Sequence, residues 1–139
     1  MSFINGFDIA ASALSAQRTR LNITASNLAN AETTRTAGGG PYLRQQAVFG
    51  ATETRFAGEV DRAINRVDVT AVQADTTTPT RMVYDPGHPD ARPDGFVEYP
   101  NVNVVEEMAE MVTASRSYEA NATSFETLKK MALRALNIG

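Results

Sequence analysis

The chain has no cysteine, no tryptophan and one histidine in 139 residues. Without cysteine there are no disulfides, no thiolate metal sites and no cysteine nucleophile, and the chain is indifferent to whether its compartment is reducing or oxidising. Without tryptophan, large core anchors are few. Phe3, Phe7, Tyr118 and Phe125 stand out within a 42% hydrophobic fraction in which alanine is prominent. The formal net charge is only -3 and the 13 Lys and Arg are scattered. That is no electrostatic footprint for phosphate backbones, so nucleic acid is not expected as a partner. No run approaches the roughly 20 apolar residues of a membrane-spanning helix, which argues against membrane insertion. Residues Met1-Ser2-Phe3-Ile4-Asn5-Gly6-Phe7-Asp8 lack a basic stretch followed by an unbroken apolar one, so they do not form a secretory signal. An export route would have to leave the N-terminus uncut. The length is that of one small domain, and a core so short of large side chains leans on partners.

What is present is helical periodicity at both ends. From Phe3 to Leu28, residues recur at alternating spacings of four and three. Phe7, Leu14, Leu21 and Leu28 form one seam position, and Phe3, Ala10, Gln17 and Thr24 the other. The first is strongly apolar and the second mixed, so register is expected to be completed by neighbouring helices. Ser2 or Asn5 is expected to cap the start, with Asp8 near the positive end of the dipole. The stop is expected at Asn27 to Asn30, because asparagine tolerates left-handed conformations.

At the other end Pro100 blocks a helix before it, Asn103 is a capping residue, and Glu106 follows three residues later as in a capping box. Glu106, Glu107 and Glu110 crowd the start while Lys129, Lys130 and Arg134 lie near the end, the order the helix dipole favours. The seam is read as Val104, Met108, Met111, Ser115, Tyr118, Ala122, Phe125, Leu128, Ala132 and Leu136. It runs for about 34 residues without Gly or Pro, roughly 50 Å of helix, more than a small globular core covers.

Between the helices the chemistry changes. Thr33 to Pro41 is polar and glycine-rich, as in a mobile loop. Residues 42–49, 67–72, 81–84 and 96–99 have strand character, and two turns follow one another over 85–90 and 92–95. The expected fold class is α+β: N- and C-terminal helices pair as an antiparallel coiled-coil-like unit around a small irregular β insert. The divisions are 1–30 for the first axial helix, 31–100 for the loop and insert, and 101–139 for the second axial helix. A two-helix hairpin has too little core to stand alone, so assembly with further helices follows from the pattern itself.

Candidate chemistry is sparse. His88 with Asp85, Asp90 and Asp94 has ligand types suited to a divalent cation, but three prolines make this stretch a chain of turns and no second histidine exists. Aspartates capping turns is the preferred reading. Glu106, Glu107 and Glu110 are expected to be solvated acids at a helix start, and Ser115, Ser117 and Ser124 have no histidine at helical spacing, so no catalytic residues are assigned. No metal or cofactor is expected. Asn27, Asn30 and Asn121 are either caps or amides bonding between helices, with Asn30 favoured as a cap and Asn121, mid-helix, gaining weight as an inter-helix contact. Met108 and Met111 suit an adaptable interface.

The run Ser26-Asn27-Leu28-Ala29-Asn30-Ala31-Glu32-Thr33 resembles the Asn-Leu-Ala-Asn hallmark of the flagellar axial proteins, the family of rod, hook and hook-associated subunits. It places Asn27, Leu28 and Asn30 in the family motif. Residues 84–91, Asp94-Gly95-Phe96-Val97, 100–108 and Ala114-Ser115-Arg116-Ser117-Tyr118-Glu119-Ala120-Asn121 resemble the proximal-rod members of that family, and only residues 50–80 add little. The resemblance implies a structural protein, not an enzyme, exported by the flagellar type III apparatus without signal cleavage. It would be built into the periplasmic rod of the bacterial flagellum basal body, which transmits torque to hook and filament. The implied partners are other rod proteins, FlgB and FlgF among them, adjoining base and distal rod components, and further copies of the chain. In that family the terminal helices line the inside of a helical tube and are poorly ordered in the free monomer. The expected interface is Phe3, Phe7, Leu14, Leu21, Leu28, Val104, Met108, Met111, Tyr118, Phe125, Leu128 and Leu136. A helical export chaperone or binding module is the alternative, since the same seams could hold one partner helix.

Overall fold

A computed structural model describes residues 3–53 and 65–137. Six elements follow in order: α1 (Phe3–Ala29), β1 (Gln45–Glu53), β2 (Asn65–Ala74), β3 (Arg81–Tyr84), β4 (Phe96–Tyr99) and α2 (Val104–Asn137). The terminal helices pack together in antiparallel fashion. Gly6 lies against Leu128, Phe7 against Phe125 and Arg20 against Glu110.

The helix ends show how local chemistry sets them. Asn5 lies inside α1 and does not cap it, while Ser2 lies outside the described residues. Asp8 falls beyond the first turn, where the dipole field has faded. At the C-terminal end no non-glycine residue adopts positive φ, so Asn30 closes α1 by another route. Its side-chain amide and its backbone N–H both donate to the Ser26 carbonyl, at 2.9 and 3.1 Å. Asn103 caps α2 by accepting from the Val105 N–H at 3.1 Å. The expected reciprocal bond from Glu106 is not among those of the described residues, so half of the capping box forms.

β1 and β2 pair antiparallel, Gln45 opposite Ala74 and Glu53 opposite Asn65, with an irregularity at Val48/Phe49 that leaves Thr70 as the extra residue. Its hydroxyl donates to the Val48 carbonyl at 2.9 Å. Side chains alternate across the pleat, so Ala47, Phe49 and Ala51 share a face with Val72, Val69 and Val67. This apolar face meets α1: Ala47 and Phe49 line one groove with Ile23 and Thr24, and Val67 and Val69 line another with Ser12 and Ala16. α1 is therefore the middle layer, between α2 and the sheet. The strand expected to start at Tyr42 begins at Gln45, because Tyr42 and Arg44 are committed to side-chain contacts with the helices.

β3 and β4 form a separate hairpin, Arg81 opposite Tyr99 and Tyr84 opposite Phe96. Tyr84 and Phe96 stack edge to face at 5.2 Å, and the Arg81 guanidinium sits 5.1 Å from the Tyr99 ring centroid. The turns between them close as aspartate chemistry dictates. The Asp85 carboxylate accepts from the Gly87 N–H and that of Asp94 from the Phe96 N–H. Gly95 has φ +80°, and a Cβ there would come 2.7 Å from the Tyr84 ring.

The glycine-rich stretch, expected as a mobile loop, is a hydrogen-bonded turn. The Thr36 N–H donates to the Gly40 carbonyl at 2.9 Å across Gly39 and Gly40, both at positive φ. It is tied to the second turn region, since the Thr34 hydroxyl and the Arg35 guanidinium both donate to Asp90. The buried apolar residues among those described are small, Ala10, Ala16, Ala31, Val97 and Ala114, which lets the elements approach closely.

Candidate functional site

The helix pair is the feature on which an assembly function would rest. On α2 the residues turned toward α1 are Glu107, Met111, Ala114, Asn121, Phe125, Leu128 and Ala132, spaced by threes, fours and sevens. Glu107 and Ala114 are buried and the others half-buried. By burial the sequence-derived seam holds at Met111, Ser115, Ala122, Phe125, Leu128 and Ala132, all half-buried, and not at its remaining positions. Val104, Met108 and Tyr118 are exposed, and so is Leu136. For Met108 the reason is one step of helical phase: the second heptad position runs through Glu107, Ala114 and Asn121 and not through Met108, Ser115 and Ala122. Val104 and Tyr118 share the heptad position of Met111 and Phe125 and are exposed for another reason. On α1, Ala10, Ala16, Thr24 and Asn27 are buried while Phe7, Leu14, Leu21 and Leu28 are half-buried. The mixed seam position thus faces in more completely than the leucine position. The Phe3 side chain lies outside the described residues.

Phe7 and Phe125 make an aromatic contact across the pair, edge to face at 5.2 Å. Arg20 and Glu110 form an ion pair at a half-exposed position. The Gln17 side-chain oxygen is enclosed and accepts no hydrogen bond among the described residues.

At the end of the pair nearest the sheet lies a buried polar node. Asn27 is 1% exposed and all four of its hydrogen-bonding positions are filled. Its amide nitrogen donates to the Gln45 carbonyl at 2.9 Å and to Glu107 Oε2 at 3.1 Å. Its oxygen accepts from the Tyr42 hydroxyl and from the Gln45 N–H, each at 2.9 Å. Glu107, also 1% exposed, receives the Arg44 guanidinium on its other oxygen. Three segments distant in sequence therefore meet through α1, the approach to β1 and α2. Asn101 ties the same corner to the loop after β2: it accepts from the Arg44 N–H and donates to the carbonyls of Asp75 and Thr78.

The sequence reading of Glu107 as a solvated acid is corrected by this arrangement. A carboxylate with a dedicated arginine and amide is a structural ion, and only Glu106 of the three remains in open solvent. The signal was available, because Glu107 stands on the same spacing as Met111, Ala114 and Phe125. Arg44, Tyr42 and Asn101 carried no such signal, since their partners are far along the chain. Asn30 is the cap it was read to be. Asn121 is half-buried and makes no hydrogen bond among the described residues, so the inter-helix role weighed for it has no bond to support it.

His88 and the aspartates around it are spoken for locally. His88 Nδ1 accepts from the Asp90 N–H at 3.1 Å, and its ring lies 6.3 Å from that of Tyr99. Among the described residues no three His, Cys, Asp or Glu side chains group as metal ligands, and no helix is long and apolar enough to cross a membrane.

Two protein-family models match the chain, one described as flagella basal body rod protein over residues 7–35 and one as flagellar basal body rod FlgEFG protein C-terminal over residues 94–138. Those spans contain most of α1 and all of α2. The chain is 44% identical over 139 residues to the flagellar basal-body rod protein FlgC of Escherichia coli O6:H1, an alignment covering 100% of the chain and 99% of the relative. It is 43% identical over 139 residues to FlgC of Salmonella typhimurium, with the same coverage. With FlgC of Bacillus subtilis it shares 36% identity over 150 aligned residues, covering 100% of the chain and 99% of the relative.

Proposed function

This chain belongs to the FlgC family of flagellar basal-body rod proteins and is a structural subunit of the bacterial flagellar basal-body rod, and from that premise we propose how it assembles. Segments 1–30 and 101–139 act as one axial unit, and the insert over 31–100 adds lateral contacts. The chain works by burying helix faces against other rod components and further copies of itself, FlgB and FlgF being the neighbours, and passes torque along the rod to hook and filament. It reaches the periplasmic rod through the flagellar type III apparatus with its N-terminus uncut, and performs no turnover.

The observation that carries this reading is the apolar surface left on α2. With one side against α1, the helix still presents Val105, Met108 and Val112 on the side turned away, by the helical period. Leu136 continues the face of Phe125 and Leu128 past the described start of α1 and is 77% exposed. Apolar residues in line on a helix point to partners. Leu14, Leu21 and Leu28 belong to the same set, their half-exposed edges available to neighbours. The export-chaperone reading is not favoured, because the relatives matched over the full length are rod proteins.

The test is Met108→Asp combined with Leu136→Asp. Neither residue supports the monomer fold, so the purified variant should melt like the parent chain. In cells it is expected to be missing from isolated basal bodies and to abolish swimming in soft agar. Normal incorporation and motility would remove these residues from the interface.

A further inference from the structure

The helix pair has a register problem that its apolar contacts do not solve. The buried seam is largely alanine, with Ala10, Ala16 and Ala114 the buried apolar residues of the two helices. Small side chains offer shallow knobs and holes, so away from the Phe7–Phe125 contact sliding one helix by a heptad changes little. Phe7, Leu14, Leu21 and Leu28 recur every seven residues, so a slip of seven replaces each leucine or phenylalanine by an equivalent. The Arg20–Glu110 pair, half exposed, gives weak discrimination.

One feature is not periodic. Glu107 is buried in the pair, and its oxygens are satisfied only where Asn27 lies opposite and Arg44 reaches in. A slip of seven carries Glu107 away from both Asn27 and Arg44. One direction takes it past the end of α1, and the other sets it opposite Arg20, which offers a countercharge but no amide and is already paired with Glu110 in the native register. The slip also leaves without an acceptor the Asn27 amide hydrogen that Glu107 Oε2 takes up, while the Asn27–Gln45 bonds stay with α1 and β1. A buried polar group at a seam specifies register in this way, by penalising every alternative. We propose that Asn27, Glu107 and Arg44 are a register lock for the axial helices. Because Arg44 belongs to the approach to β1, the lock closes only when the insert is docked. The insert is thereby a condition of correct helix pairing as well as an addition to it.

The absence of cysteine makes a direct test possible. A Cβ at position 6 would lie 3.6 Å from the Leu128 side chain, so Gly6→Cys with Leu128→Cys reports the native register. Gly6→Cys with Asn121→Cys, or with Ala135→Cys, reports slips of one heptad either way. Disulfide yields are measured on the purified full-length chain at low concentration, with intramolecular products separated by size. With the lock intact, the 6–128 product is expected to dominate. Replacing the ion pair by Glu107→Leu with Arg44→Met is expected to preserve helical circular dichroism and to raise the slipped products relative to 6–128 by about tenfold, the ratio carried by 1.4 kcal/mol. Arg44→Met alone, which leaves both helices unchanged, is expected to raise them too. Equal yields of the three products with the lock intact would overturn the proposal. So would an unchanged dominance of 6–128 in the helical double variant. If that variant loses its helical signal, Glu107→Gln decides: it keeps an acceptor for Asn27 and removes the charge that holds Arg44, and unchanged yields there sink the lock. None of these readouts involves rod assembly, so they stand apart from the motility test.

Discussion

A carboxylate withdrawn from water destabilises a fold unless its lone pairs are taken up, and Glu107 has Arg44 on one oxygen and Asn27 on the other. Removing Arg44 leaves a buried carboxylate without its countercharge, and removing Glu107 leaves the Arg44 guanidinium and one Asn27 amide hydrogen without that partner. Glu107→Ala is expected to lower stability by about 3–5 kcal/mol, read as a fall in the urea midpoint, whereas Glu106→Ala one position away should leave the midpoint where it was. Asp75 shows the surface counterpart. Hydrogen bonds from the Thr78 hydroxyl and from the Thr78 and Thr77 backbone lower its pKa from 3.8 to about 2. A depressed carboxylate pKa contributes stability that is complete above the unfolded value, and this is lost as pH falls from about 4 toward 2. The amide resonances of Thr77 and Thr78 are accordingly expected to titrate with a midpoint near 2; a midpoint near 4 would show that these bonds do not hold in solution.

Among the elements, the β3–β4 hairpin depends most on one backbone position. Gly95 has φ +80° and faces the Tyr84 ring, so Gly95→Ala adds a left-handed penalty of about 1–2 kcal/mol to a contact that forces the ring aside. The expected outcome is a lower melting temperature together with loss of the ring-shifted resonances of the Tyr84–Phe96 pair. An unchanged spectrum would mean that the hairpin closes by another route. The strand segments 81–84 and 96–99, the turns between them and α2 were legible because their determinants are local, whereas the pairing of the strands and the ordered glycine turn, expected as a mobile loop, were not. Aspartates next to glycine and proline make turns, Pro100 followed by Asn103 starts a helix, and alternation over 67–69 makes a strand. The capping box was only half right, since Asn103 bonds Val105 while Glu106 stays with solvent.

For the whole molecule, order is graded along the helix pair. One end is tied by Asn27, Glu107, Arg44 and Asn101, while at the other α2 passes α1 with Met131, Leu133 and Leu136 exposed. Hydrogen exchange on the purified chain should therefore find α2 amides well protected around 110–114 and exchanging rapidly beyond about residue 130, with the rapid set becoming protected in the assembled rod. Uniform protection of α2 in the free chain would contradict a partner-dependent end. The family resemblance implied poor order in the free monomer, and the exchange pattern would show whether it is confined to the end without the Asn27–Glu107–Arg44 node.

From the amino-acid sequence alone came the two helices, the strand segments, the α+β class and the family. Those follow from periodicities and turn residues whose partners lie within a few positions, and from motifs readable in one dimension. What only the tertiary structure decided is which face each helix buries. Helical phase on α2 differs by one residue between the seam through Met108, Ser115 and Ala122 and the one through Glu107, Ala114 and Asn121, and amphipathicity is too weak in so alanine-rich a pair to choose between them. The choice falls to Arg44, 63 residues before Glu107 along the chain, because a buried carboxylate is tolerated only where its countercharge arrives.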